Sequence, residues 1–328
     1  MEQGNAGAGA ELQALRAALA AGGKAALARA LARLERDGDA PAVLALLDAA
    51  WESPRAEVIG LTGPPGVGKS TLTGALIAGF RRQGRTVAVI AVDPSSRRSG
   101  GALLGDRVRL ATDPEDGGLF VRSMAARDRL GGLAGLTVSA MVLMRALYDV
   151  VLIETVGVGQ SETDVATAAD TVVFCVQPGS GDSLQFMKAG IVEIPHIVVV
   201  TKADMGAVAQ RACADMAQAM TLAGDPEGEG WPVPVLALSA QRGEGLEPLL
   251  AALAGRADFL AADGRRERLR RRQAGVWLED AVRERFGRHG LRGAGPLTLP
   301  PGTPPFGRLA RLLETLGGVG EPGGGNWR

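Results

Sequence analysis

Residues 57–72 read EVIGLTGPPGVGKSTL. A short apolar run, 57–62, leads into Gly63, Pro64, Pro65, Gly66, Val67, Gly68, Lys69, Ser70 and Thr71, and helix-forming residues continue to about 82. The pattern G-x-x-x-x-G-K-[ST] between a strand and a helix is a phosphate loop. Its glycines let successive backbone N–H groups turn inward around an anion, and the helix opening at Lys69 adds the positive end of its dipole. Lys69 is placed to reach the outer phosphates, and the Ser70 hydroxyl to bind Mg2+.

Working outward, residues 86–92, 150–155, 171–176, 197–201 and 233–238 join 57–62 as predicted strands. Between them, 69–82, 133–147, 183–190, 206–223 and 246–262 carry helical patterns. Near-continuous apolar strands separated by helices predict an α/β fold, the P-loop NTPase architecture, with a mostly parallel central sheet covered by helices on both faces. Upstream, Leu12, Leu15 and Leu19, then Leu27, Leu31 and Leu34, then Val43, Leu44, Leu47 and Trp51 recur at helical spacing. They predict a helical N-terminal extension over 1–55, with Pro41 suited to a helix start. The nucleotide domain then spans 56–263. Beyond it, within 264–328, the run RRERLRRR at 265–272 opens an amphipathic stretch through Val276, Trp277, Val282 and Phe286. A Pro/Gly-rich segment at 293–305 precedes a short helix around 309–316 and a glycine-rich tail expected to lack fixed structure.

Composition narrows the function. The chain has 328 residues, and 36 Lys+Arg balance 36 Asp+Glu. Nucleic-acid binders need a basic excess, so no nucleic-acid partner is expected. The Arg-rich run carries Glu267, lacks interleaved aromatics and reads as a solvated face beside a dimer seam. No apolar run approaches the roughly 18 residues that span a bilayer. The start, with Glu2 and Glu11, shows no signal-peptide pattern. A cytoplasmic protein with no membrane partner is therefore expected. Two cysteines, Cys175 and Cys213, and two histidines, His196 and His289, make no His/Cys metal cage. Only four of the 36 basic residues are lysines: Lys24, Lys69, Lys188 and Lys202. Arginine cannot replace a compact ammonium threading a phosphate loop, so each surviving lysine is worth asking about, and only Lys24 is left without a role.

The base is read at Thr201-Lys202-Ala203-Asp204. The Asp204 carboxylate can accept two hydrogen bonds from the guanine N1–H and exocyclic amine, a donor pair that adenine lacks, so GTP/GDP is expected over ATP. The Lys202 stem packs along the base plane. Thr201 stands where GTPases commonly carry Asn, whose amide braces the phosphate loop; a hydroxyl reaches less far, and weaker nucleotide binding is expected. Ser239 and Ala240 sit where backbone commonly meets the guanine O6. On the metal side, Val151 to Gly157 resembles a switch segment of the form hhhh-D-x-x-G, with Glu154 replacing Asp. Glu154, Asp93, Asp106 and Ser70 are the expected Mg2+ set, and Gly157 N–H faces the γ-phosphate. Small GTPases place a water-orienting Gln directly after that glycine. Here the position is Val158 and the nearest glutamine is Gln160, so intrinsic hydrolysis is expected to be slow and dependent on a partner. The catalytic candidates are Lys69, Glu154 and Gln160.

Together, GPPGVGKST, AVDPSSRRSGGALLGD, VVLIETVGVGQSE, PGSGDSLQFMKAGIVEI and TKAD resemble the MeaB/ArgK family, from the N-terminal helices to about residue 290. These are the GTPases associated with methylmalonyl-CoA mutase, whose human member is the methylmalonic aciduria type A protein. The resemblance implies a GTPase domain of the metallochaperone-like branch, and a C-terminal helical dimerisation arm forming a homodimer. It also implies a chaperone that gates adenosylcobalamin loading and protects methylmalonyl-CoA mutase or a related acyl-CoA mutase. Within 178–190 it implies a third switch loop, in which Asp182 and Lys188 couple nucleotide state to the mutase. Other classes fit less well. A nickel-inserting metallochaperone needs His/Cys clusters, an RNA- or ribosome-associated GTPase rests on the Arg run alone, an ATP-dependent kinase conflicts with Asp204, and a helical adaptor needs no nucleotide site.

Overall fold

The computed structural model describes residues 2–94, 113, 115–126, 135–155, 164–179, 194–223 and 230–317. Three helices come first: α1 (Glu2–Ala20), α2 (Lys24–Asp37) and α3 (Pro41–Glu52). Then follow β1 (Glu57–Thr62), α4 (Lys69–Arg82), β2 (Val87–Pro94), β3 (Leu119–Ala126), α5 (Gly135–Leu147), β4 (Val150–Glu154), β5 (Thr171–Val176) and β6 (Ile197–Val200). The rest comprises α6 (Ala207–Ala223), β7 (Val235–Ala237), α7 (Leu246–Ala261), α8 (Arg265–Ala294) and α9 (Pro305–Gly317). The seven strands form one sheet in the order β3-β2-β4-β1-β5-β6-β7, with every pairing parallel.

The strands read as unbroken apolar runs because both faces are covered, with successive side chains going to opposite sides. On one face Val58, Ile90, Val151, Ile153 and Val172 pack with leucines of α1–α3 and with α5, α8 and α9. On the other, Ile59, Leu61, Val89, Leu152 and Val173 meet Leu72, Leu76 and Phe80 of α4 and Leu249 and Leu253 of α7. Toward the β6 side, Phe174, Val176, Val198 and Val200 pack on Met216 and Met220 of α6.

Three features depart from the expected pattern. Strand β3 was not anticipated. It is an edge strand, and Arg122 shares its side of the pleat with the buried Phe120 and Met124, breaking the apolar alternation. Arg122 is tied there by an ion pair to Glu35 of α2. At the opposite edge β7 keeps only three half-exposed or exposed residues of the predicted 233–238. The Arg-rich run is not wholly a solvated face. Arg270 is buried, with Nε 2.8 Å from Asp170 Oδ1 and Nη2 2.6 Å from Oδ2. Nη2 also donates to Ala56 O, and Asp170 Oδ2 accepts the Val58 N–H. This clasp pins α8 to the starts of β1 and β5. Further along, α8 bends at Gly287, where φ is 63° and ψ −160°. Among the described residues no helix is long and apolar enough to cross a membrane. The predicted helix at 183–190 and the tail beyond 317 lie outside the described residues.

Candidate nucleotide-binding site

The carboxyl ends of β1, β4 and β2 converge beside the loop that follows β1, where a parallel sheet presents its ligand crevice. Gly63 opens this loop at φ 135°, and a Cβ there would lie 2.3 Å from the Cys175 carbonyl oxygen, so the loop passes against β5 only because no side chain intervenes. Gly68 at φ 103° turns the chain into α4. Val67 is buried beneath the loop, while Pro65, Gly66 and Thr71 are exposed along it. Lys69 Nζ donates to Gly63 O at 2.7 Å and Pro64 O at 3.0 Å, curling over its own loop. Phosphate oxygens would offer that ammonium stronger, charged acceptors. Burial pushes the Cys175 thiol under the loop up to about 12, which keeps it an inert, protonated wall.

Glu154 ends β4 opposite Leu61 of β1. Its Oε1 accepts the Ser70 hydroxyl at 2.5 Å, and its Oε2 lies 2.9 Å from the Thr73 hydroxyl. Ser70 and Thr73 are three residues apart and so share a face of α4. Glutamate's extra methylene, relative to the expected Asp, lets one carboxylate span both. A hydroxyl beside a carboxylate is an all-oxygen donor set, which suits Mg2+. Among the described residues no group of three or more His, Cys, Asp or Glu could hold a metal ion. Asp93 lies near the end of β2, two residues beyond Ala91, which pairs with Glu154. Asp106, Gly157, Gln160, Asp182 and Lys188 lie outside the described residues.

On the base side, Thr201 follows β6 with its N–H bonded to Val176 O. Its hydroxyl lies 2.7 Å from Val67 O and 3.0 Å from Val176 O. The shorter side chain therefore does reach the phosphate loop, because β6 ends close under Val67. Lys202 adopts φ 53° and sends Nζ to Gln177 Oε1 at 2.7 Å and Gly66 O at 3.3 Å, drawing its stem across the site. Asp204 Oδ1 accepts the Ser239 hydroxyl at 2.7 Å. That hydrogen bond is the main cause holding the Asp204 carboxyl below the usual range, so it is ionised. The Ala203 N–H donates to Leu238 O, joining this segment to the Ser239-Ala240 turn. His196 is structural: its Nδ1 accepts the Val172 N–H at 2.9 Å.

Two neighbours escaped sequence reasoning. Thr73 carried a signal, lying four residues after Lys69 on the same helix face. Gln177 carried only its place directly after β5.

The family profile described as methylmalonyl-CoA mutase-associated GTPase MeaB matches residues 27–292. A protein of Pyrococcus horikoshii that carries a GTPase name is 45% identical over 223 residues, covering 66% of this chain and 68% of that protein. The mitochondrial methylmalonic aciduria type A homolog of Mus musculus is 38% identical over 234 residues, covering 70% of this chain and 56% of that protein. Among solved structures, one described as LAO/AO transport system kinase aligns with TM-score 0.64 at 28% identity, covering 94% of this chain and 98% of that one.

Proposed function

Because the chain belongs to the MeaB family of methylmalonyl-CoA mutase-associated GTPases, we propose that it binds GTP with Mg2+ and hydrolyses it slowly to GDP. We further propose that this cycle gates adenosylcobalamin loading of methylmalonyl-CoA mutase, or a related acyl-CoA mutase, and protects that enzyme. The observation that carries the guanine reading is the Ser239-held Asp204 carboxylate, joined through Thr201 to the phosphate loop. An ATP-dependent kinase would have no use for that carboxylate.

In this reading Lys69 exchanges its loop carbonyls for the outer phosphates. Ser70 and Glu154, with Asp93 and Asp106, hold the metal side, and Thr73 keeps Glu154 aimed at Ser70. Bound Mg2+ supplies charge neutralisation at the phosphates. Gly63 to Thr71 cradle the phosphates, with Gly157 at the γ-position, and Thr201, Lys202, Asp204, Ser239 and Ala240 surround the base. Val158 has no hydrogen-bonding group, so water positioning falls to Gln160 after a rearrangement that the mutase induces. Asp182 and Lys188 couple the two proteins, and 264–328 serves a homodimer in the cytoplasm.

The test is nucleotide hydrolysis by the purified chain with and without an adenosylcobalamin-dependent mutase. GTP turnover is expected to be slow alone and accelerated by the mutase. Lys188→Ala should retain GTP binding and lose the acceleration. Efficient ATP hydrolysis, or GTP turnover indifferent to every such mutase, would overturn the proposal.

A further inference from the structure

Away from the nucleotide crevice, the first face of the sheet buries a cation that has no ion-pair partner among the described residues. Arg145, on α5, is 2% exposed. Its guanidinium lies over the Trp51 ring, 4.7 Å from the centroid. Among the described residues no carboxylate pairs with it, and its Nε has no hydrogen-bond partner. The nearest acid, Asp170, is already committed, with both oxygens engaged by Arg270 and one also by the Val58 N–H. One carboxylate therefore serves two buried guanidiniums. Burial, aided by the Arg270 charge and opposed by Asp170, pushes Arg145 down to about 9, which still leaves it cationic at neutral pH.

A stacked aromatic ring offsets only part of the cost of taking such a charge out of water. Beside it lies a small, partly open cavity walled by Trp51 of α3, Arg145 of α5, Thr167, Arg270, Gln273 and Trp277 of α8 and Phe306 of α9. The space open to the centre of a water-sized sphere is about 10 Å3, room for one water or one monatomic ion. Of the other polar walls, Arg270, Gln273 and Thr167 are engaged, whereas the buried Trp277 Nε1 has no hydrogen-bond partner among the described residues. Gln273 Nε2 donates to Ala166 O and Ala169 O, and the Thr167 hydroxyl donates to Asp164 O.

We propose that this cavity is a binding site for a single monatomic anion of the halide class, chloride in the cell, held by the Arg145 guanidinium. Carboxylates, phosphates and nucleotides are too large for it. The ion supplies the missing counter-charge where α3, α5, α8 and α9 meet, so it fastens both the N-terminal and the C-terminal helices to the sheet. The site is independent of the nucleotide chemistry and stands whether or not the proposed function does.

Thermal unfolding of the full chain in sodium chloride and in sodium gluconate, at equal ionic strength, reads the site. Chloride is expected to raise the melting temperature by about 2–4 °C in a saturable way, with bromide acting alike. Arg145→Met, which keeps the length and removes the charge, is expected to melt equally in both salts. Equal melting of the unaltered chain in the two salts, or a chloride effect that survives in Arg145→Met, overturns the proposal. Should that variant fail to fold, bromide-soaked crystals of the unaltered chain decide. An anomalous peak against the guanidinium supports the site, and an ordered water without anomalous signal overturns it.

Discussion

Thr201 shows how much a single side chain's place in the fold can matter. Its departure from Asn is visible in the sequence, but its reach is not, because reach depends on how closely the end of β6 approaches Val67. At 2.7 Å from Val67 O the hydroxyl ties the base segment to the phosphate loop from a buried position. A neutral hydrogen bond of this kind contributes about 0.5–1.5 kcal/mol net. Thr201→Val, isosteric but without the hydroxyl, should therefore weaken GDP binding by about 3- to 10-fold. Calorimetric titration of both proteins checks this, and unchanged affinity would remove the brace. Glu154 is similar: its place as an acid ending a strand is legible in the sequence, whereas its partnership with Thr73 follows from β4 lying beside the first turn of α4.

Elements repeat the same division. The strands buried on both faces announce themselves by composition; edge strand β3 does not, since Arg122 takes the place an apolar residue would need. Helix α9 was legible from its leucines, but not its cap. The exposed N–H groups of a helix start need acceptors, and Asp48 of α3 supplies one, accepting the Phe306 N–H at 3.0 Å. Burial pushes the Asp48 carboxyl up to about 7. The Phe306 and Gly307 N–H groups and Arg311 pull the other way, and Glu52 adds to the rise. The folded pKa thus lies above the unfolded value near 4. The protonated group's contribution is present below about pH 4 and is lost as pH rises through 7. Asp48→Asn, which keeps an acceptor but cannot titrate, should gain stability relative to the unaltered chain as pH rises from 5 to 8. Urea unfolding at several pH values reads the difference, and parallel profiles for the two proteins would contradict it.

At the scale of the whole molecule, helices from both ends of the chain share one core with the sheet. The Trp277 and Phe306 rings, 4.6 Å apart between centroids, join α8 to α9, and the Arg270–Asp170 clasp joins α8 to the sheet. Burial works to raise the Asp170 pKa, but the charge and hydrogen bonds of Arg270 outweigh it and leave the carboxyl lowered. Removing one partner strands the other in the interior, a loss of about 3–5 kcal/mol. Arg270→Met should destabilise the chain by about that much, and adding Asp170→Asn should recover part of it. A double-mutant cycle by chemical denaturation measures both. Additive losses would show that the two side chains do not act as a pair.

The phosphate loop, the places of Asp204 and Glu154 at the ends of their strands, the helical ends and the parallel sheet were all determined by the sequence itself. Each rests on residues within about ten positions of one another, where spacing alone sets what one strand, turn or helix face can present. The tertiary structure alone decided which side chains meet across long separations: Thr201 with Val67, Asp48 with Phe306, Arg270 with Asp170, and Arg145 with the Trp51 ring in place of an ion-pair partner among the described residues. Local periodicity says which face of an element is buried. Only packing settles what that face is buried against, and in a low-dielectric interior that partner determines whether a charge is paired, capped or left to bind an ion.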